Sequence, residues 1–243
     1  MPDHLFYDIR DNYQTVLANI ADAARSVGRA PGEIKLVVVT KGHPVETVEA
    51  VVSAGARYLG ENYVEDALPK IAAFSGDPLE WHMIGHVQSR KAQSVAEHFA
   101  WVQSVDSLKL AQRLDRFARQ LGRVIPVLLE CNVSQEESKF GWPAWDEAHW
   151  PEFAGMLEPL LDLPSLKVRG LMTMPPYDPD PENSRPYFEK LTRLAAFLAD
   201  RFPQVSWSEL SMGMSGDYEV AVQSGATIVR VGTAIVGPRP TAN

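Results

Sequence analysis

Eight times along this chain a short apolar run is followed by a helix-like pattern, and that alternation leaves few folds open. The first run, Leu36-Val37-Val38-Val39-Thr40, is rich in β-branched residues and lacks polar alternation. Such a run marks a strand covered on both faces, as in a parallel sheet. Further strands are expected at 58–60, 81–84, 101–103, 124–131, 167–173, 208–211 and 227–231. Helical patterns fit between them at 45–54, 63–74, 88–99, 108–121, 142–161 and 184–202, then a short one ending at Ser224 and a vestigial eighth. Ahead of all these, Leu5, Ile9, Val16, Ile20, Ala24 and Val27 recur at helical spacing until Gly28 and Pro31-Gly32 stop them. The expected fold is α/β: a single (β/α)8 TIM-type barrel with an extra N-terminal helix and no second β-domain. The chain of 243 residues is read as one domain over 1–243, with its barrel core at about 33–237. The longest loops are expected at 132–141 and 175–183, and the tail 237–243 (GPRPTAN) is expected to fray.

Charge narrows the function classes. Lys and Arg number 23 against 31 Asp and Glu, a net −8. That excess of acid argues against nucleic acid, which needs a positive face, but leaves room for one small anion in a local site. The single cysteine, Cys131, forbids an internal disulfide and fits a reducing compartment. The polar, acidic start (MPDHLFYDIRDNYQ) is unlike a signal peptide, and no apolar run approaches the ~20 residues of a membrane helix. The expectation is a soluble, cytoplasmic protein without membrane partners.

In a barrel of this kind chemistry sits at the C-terminal ends of the strands. Strand one ends in Lys41. Desolvation at an apolar strand end disfavours an ammonium, lowers its pKa and leaves an amine able to form a Schiff base with a carbonyl. The plainer alternative is a lysine that extends to solvent. The turns after strands seven and eight, SMGMSG (211–216) and RVGT (230–233), combine glycines with the hydroxyls of Ser211, Ser215 and Thr233. Barrels of this class often hold phosphate there, where exposed N–H groups meet an anion. Glycine and serine are also ordinary turn residues. Arg230 stands within a β-branched run, on the same face as Ile228 and Gly232. A guanidinium there must be paired or hydrogen-bonded, either to a ligand or to a carboxylate of the barrel core.

Other chemistries fail on inspection. GMSGD (213–217) lacks the final glycine of a nucleophile elbow, and neither a P-loop nor a dinucleotide glycine fingerprint is present. His82 and His86 are four apart but straddle Gly85 at a strand end, so no metal site is expected; His82 reads as a hydrogen-bonded wall residue. Cys131 reads as packing.

Seven segments in order carry a resemblance: LVVVTKGHP (36–44), GENY (60–63), WHMIGHVQSRK (81–91), KFG (139–141), GLMTM (170–174), LSMGMSGD (210–217) and IVRVGTAIVG (228–237). Spanning nearly the whole chain, they resemble the pyridoxal-phosphate-binding homeostasis proteins, relatives of the N-terminal barrel of alanine racemase. The resemblance implies pyridoxal 5′-phosphate as cofactor, joined to Lys41 as a Schiff base. It implies that Ser211, Gly232 and Thr233 hold the phosphate, Met212 and Gly213 shape the turn, Arg230 faces the pyridine nitrogen and Asn62 lies near the ring substituents. The family usually has serine before the lysine and often threonine after it, where this chain has Thr40 and Gly42.

A cation facing the pyridine nitrogen disfavours its protonation and weakens the ring as an electron sink. Resembling racemases also use a second domain that supplies a tyrosine from the partner subunit, and no such domain is in this sequence. The expectation is therefore a carrier and regulator of free pyridoxal phosphate with little turnover and no catalytic residue, a monomer, with apo-enzymes as its partners. The alternatives are an amino-acid racemase or related enzyme of the same cofactor, and a cofactor-free Schiff-base aldolase.

Overall fold

A computed structural model describes residues 3–136 and 139–239. Eight parallel strands form the barrel: β1 (Lys35–Val39), β2 (Tyr58–Glu61), β3 (Glu80–Met83), β4 (Trp101–Val105), β5 (Ile125–Asn132), β6 (Leu166–Met172), β7 (Glu209–Ser211) and β8 (Ile228–Val231). Each pairs in parallel with the next in sequence. The ring closes where β1 meets β8, with Val37 opposite Arg230.

Helices α1 (Asp3–Ser26), α2 (Val45–Ser53), α3 (Val64–Ala73), α4 (Ala92–His98), α5 (Leu108–Gln120), α6 (Trp150–Leu161), α7 (Arg185–Arg201), α8 (Tyr218–Gln223) and α9 (Thr233–Val236) surround the strands. The expected TIM-type fold and N-terminal helix are present. Helix α1 lies against α2, α8 and α9, tied there by Asn19 Nδ2 donating to Tyr218 Oη at 3.0 Å. Among the described residues no helix is long and apolar enough to cross a membrane.

Two apolar regions follow from the two buried faces of the strands. Outward-facing residues such as Val38, Leu59 and Leu129 join the helices in the main core. Inward-facing Val37, Leu128, Met172 and Ile228 fill the barrel itself. Because side chains alternate, the next inward residues along β1, β5 and β8 are Val39, Glu130 and Arg230. The apolar layer therefore forms a floor under a more polar one.

One expected helix is shorter than its pattern. Residues 142–161 read as continuous helix, yet Trp142–Pro143 is a two-residue strand beside the end of β5, and Glu147–His149 is a 3-10 turn. Helix α6 starts only at Trp150. Proline lacks the amide a helix interior needs but suits a first turn, so Pro151 can open α6 while Pro143 stays outside it. The last residues of the tail, 240–243, and the loop residues 137–138 lie outside the described residues.

Candidate functional site

A cavity of about 780 Å³ opens at the C-terminal ends of the strands. Five of the expected site residues line it: Lys41, Asn62, Arg230, Gly232 and Thr233. Lys41 follows β1, half-buried, and makes no hydrogen bond or ion pair among the described residues. Burial lowers its pKa first, helped by the cations of Arg239 and Arg230 and opposed by Glu61. More of the lysine is thereby the neutral, nucleophilic amine.

The backbone presenting that lysine is pinned from below. Thr40 Oγ1 donates to Glu61 Oε1 at 2.6 Å. Lys70, from α3, donates to the Thr40 carbonyl at 2.8 Å and to Glu61 Oε1 at 2.7 Å. Both charges are removed from solvent, so they are tolerable only as a pair with added hydrogen bonds. Gly42, just past Lys41, has φ +72°. A Cβ there would sit 3.1 Å from Arg239 Cδ, so any side chain at this position would be strained and crowded.

The wall opposite is built by the two glycine-bearing turns. Gly213 has φ +92°, and a Cβ on it would lie 2.5 Å from Ala221 Cβ. Ser215 Oγ accepts from the Gly232 and Ala234 amides at 3.3 and 3.2 Å, stitching the turns together. Asp217 Oδ1 accepts from the Met214 amide at 2.7 Å. Ser215, Gly216, Gly232 and Thr233 all face the cavity.

Ser211, Met212 and Gly213 do not line it. Ser211 is fully buried and aimed into the barrel. Its hydroxyl accepts from Arg230 Nη1 at 2.6 Å and donates to Gln103 Oε1 at 2.6 Å. Gln103 Nε2 in turn lies 2.8 Å from His82 Nδ1. Arg230 Nη2 donates to the Thr173 carbonyl at 2.9 Å. Ser211 thus holds Arg230, and Ser215 is the serine at the cavity. Met212 is core packing. Gly213 gives the turn its left-handed residue.

Sequence reasoning passed over Glu130. Its carboxyl lines the cavity, is 4% exposed, and has no hydrogen-bond partner for Oε2. Burial pushes its pKa up to about 7, with Asp106 adding to the rise and Arg230 opposing it. Alternation from Leu128 was the available signal. Asn62 Oδ1 is likewise buried at the cavity without a partner. Its backbone is approached so closely by Gly85 that a Cβ there would fall 2.4 Å from the Asn62 carbonyl.

The mouth is aromatic. Tyr63, Phe140 and Tyr177 are exposed there. Phe140 stacks on His86 with centroids 3.9 Å apart, and His86 Nδ1 is 2.8 Å from Asp106 Oδ2. His82 is at the barrel floor, stacked on Trp101 with centroids 5.7 Å apart; burial holds its pKa down at about 3. The two histidines share no site, and the described residues hold no cluster that could bind a metal. Cys131 is buried, its thiol pKa raised by burial.

The cavity therefore combines an unengaged amine, a cation fixed by neutral acceptors, a turn cradle and two orphaned polar atoms. That set suits a small ligand with a carbonyl, an anionic end and polar ring substituents.

Comparison with known proteins agrees. The family model for the alanine racemase N-terminal domain matches residues 12–240. The pyridoxal phosphate homeostasis protein of Vibrio cholerae is 40% identical over 235 residues, covering 95% of this chain and 96% of its own. The structure of PipY from Synechococcus elongatus with pyridoxal phosphate bound has a TM-score of 0.75 at 37% identity, over 90% of this chain and all of that one. Alanine racemase of Clostridium difficile shares the fold, with a TM-score of 0.69 at 18% identity, over 96% of this chain and 57% of its own.

Proposed function

Because the chain belongs to the alanine racemase N-terminal domain family, we propose that it binds pyridoxal 5′-phosphate and acts in its homeostasis, as a carrier that holds and releases the cofactor. The observation that carries this reading is the unengaged amine of Lys41 opening onto the same cavity as the Ser215–Gly232–Thr233 cradle and Arg230.

In this reading Lys41 Nζ forms a C=N bond with the cofactor aldehyde and releases one water. Its burial, with two cations nearby, lowers its pKa and so enlarges the fraction of neutral amine able to react. Gly232 and Thr233 lie at the phosphate end, and Ser215 takes the place expected of Ser211. Arg230 stands at the ring, its donors directed by Ser211 and Thr173. Asn62 serves ring substituents with its unpartnered Oδ1. The whole chain acts as one binding domain built on the barrel core at 33–237. It works as a monomer in the cytoplasm and hands the cofactor to apo-enzymes. Sedimentation and cell fractionation check the first two points, and cofactor transfer to a purified apo-enzyme checks the third.

The central test is the visible spectrum of purified protein with pyridoxal phosphate before and after borohydride, with peptide mapping of the reduced adduct. A label on Lys41, lost in Lys41→Ala, supports the reading. A colourless protein unchanged by the cofactor refutes it and favours a cofactor-free Schiff-base enzyme. D-product formed from L-amino acids at ordinary enzyme rates would replace the carrier with a racemase.

A further inference from the structure

Glu130 is an acid with no protein partner in a place where acids need one. It follows Leu128 on the inward face of β5, directly above the apolar floor of Val37, Leu128 and Ile228. It is 4% exposed and lines the cavity, and its carboxyl makes no hydrogen bond or ion pair among the described residues. The groups around it are already committed. Arg230, from β8, gives its terminal nitrogens to Ser211 and Thr173. Asp106, after β4, is bonded to His86 and Ser107. The Cys131 thiol, next along β5, is turned to the Leu129 carbonyl. A buried carboxyl left without a partner destabilises the fold. Its complement must therefore come from the cavity.

An anionic group would be repelled by the ionised carboxyl, and an apolar one would leave it unsatisfied. A ring hydroxyl or ring nitrogen that exchanges a proton serves it in either state. We propose that Glu130 is a ligand-contact residue that takes the proton-exchanging ring group of a heteroaromatic ligand and so fixes the ring beside Arg230. The proposal deepens the pyridoxal phosphate reading and rests on it for the ligand's identity. One proton is shared: the neutral acid donates it to a ring oxygen or nitrogen, or the carboxylate accepts it from the protonated ring group.

The test uses the full chain and its Glu130→Gln and Glu130→Leu variants with two ligands. Pyridoxal phosphate reports the bond to Lys41. The 4′-deoxypyridoxine phosphate analogue lacks the aldehyde and reports the cavity contacts alone. Glu130→Leu should weaken analogue binding by about tenfold or more at slightly acid pH, while Glu130→Gln, which keeps a donor, stays within about threefold. The absorption band of the bound analogue should change with pH through neutrality in the wild type, and its midpoint should move by about one pH unit or vanish in Glu130→Gln. Should Glu130→Leu fail to fold, that midpoint decides alone. Wild-type affinity and an unmoved midpoint in the variants would overturn the proposal, even with the Lys41 adduct intact. Glu130-dependent analogue binding without that adduct would uphold it while removing the covalent reading. Binding of neither ligand to the wild type would end both.

Discussion

Removing the charge at Glu130 should make the ligand-free protein more stable at alkaline pH and change the shape of its stability curve. The folded carboxyl has its pKa pushed up to about 7, against an ordinary 4.5. Between those values the folded chain holds a proton that the unfolded chain releases. Stability must then fall as pH rises through this window, and the loss is complete above the folded pKa. The gap is 7 − 4.5, or 2.5 pH units; at about 1.36 kcal/mol per unit it amounts to about 3 kcal/mol. Glu130→Gln keeps the shape and does not titrate. The difference in unfolding free energy between variant and wild type should shift toward the variant by about 2 kcal/mol from about pH 5.5 to about pH 8. In a chain of this size that corresponds to about 4–8 °C in Tm. Urea and thermal unfolding of both proteins across this range, without ligand, measure it. Parallel curves would show that Glu130 ionises as readily folded as unfolded, and the account of its environment would be wrong.

Three other perturbations have defined outcomes. Gly213→Ala places a methyl 2.5 Å from Ala221 Cβ at φ +92°; it should destabilise by at least about 2 kcal/mol, seen as a lowered Tm. Lys70→Met leaves Glu61 as an unpaired buried charge and should cost about 3–5 kcal/mol in urea unfolding, much of which the double variant with Glu61→Leu recovers. Ser211→Ala strips Arg230 Nη1 and Gln103 Oε1 of their shared partner; it should cost about 1–3 kcal/mol and leave the borohydride adduct on Lys41 in place. Loss of that adduct in Ser211→Ala would return Ser211 to the binding surface.

What could be read from the sequence was what local chemistry fixes. The β-branched run before Lys41 and the glycine turns at 211–216 and 230–233 mark the strand ends, and in a barrel the strand ends are the site. Strand parity decided the rest. Because β7 runs through Ser211, that side chain alternates into the barrel, while Ser215 in the following turn stays at the cavity. Two serines four apart in one motif carry no mark of this difference. Glu130 was open to the same reading from Leu128, yet an acid in an apolar strand looks like an interruption until its neighbours are known. The Glu61–Lys70 pair joins a strand to a helix, and only packing brings them together.

The polar chain through the barrel interior runs in one direction only. Arg230 has hydrogens to give and no lone pair to receive them, so the Ser211 oxygen must accept and its hydrogen must pass to the Gln103 carbonyl. The Gln103 amide group is then obliged to donate to His82 Nδ1, which leaves the imidazole hydrogen on Nε2. A guanidinium at one end of the barrel thereby dictates the tautomer of an imidazole at the other. Nitrogen-15 chemical shifts of His82 would report on Arg230 without a probe placed anywhere near the cavity.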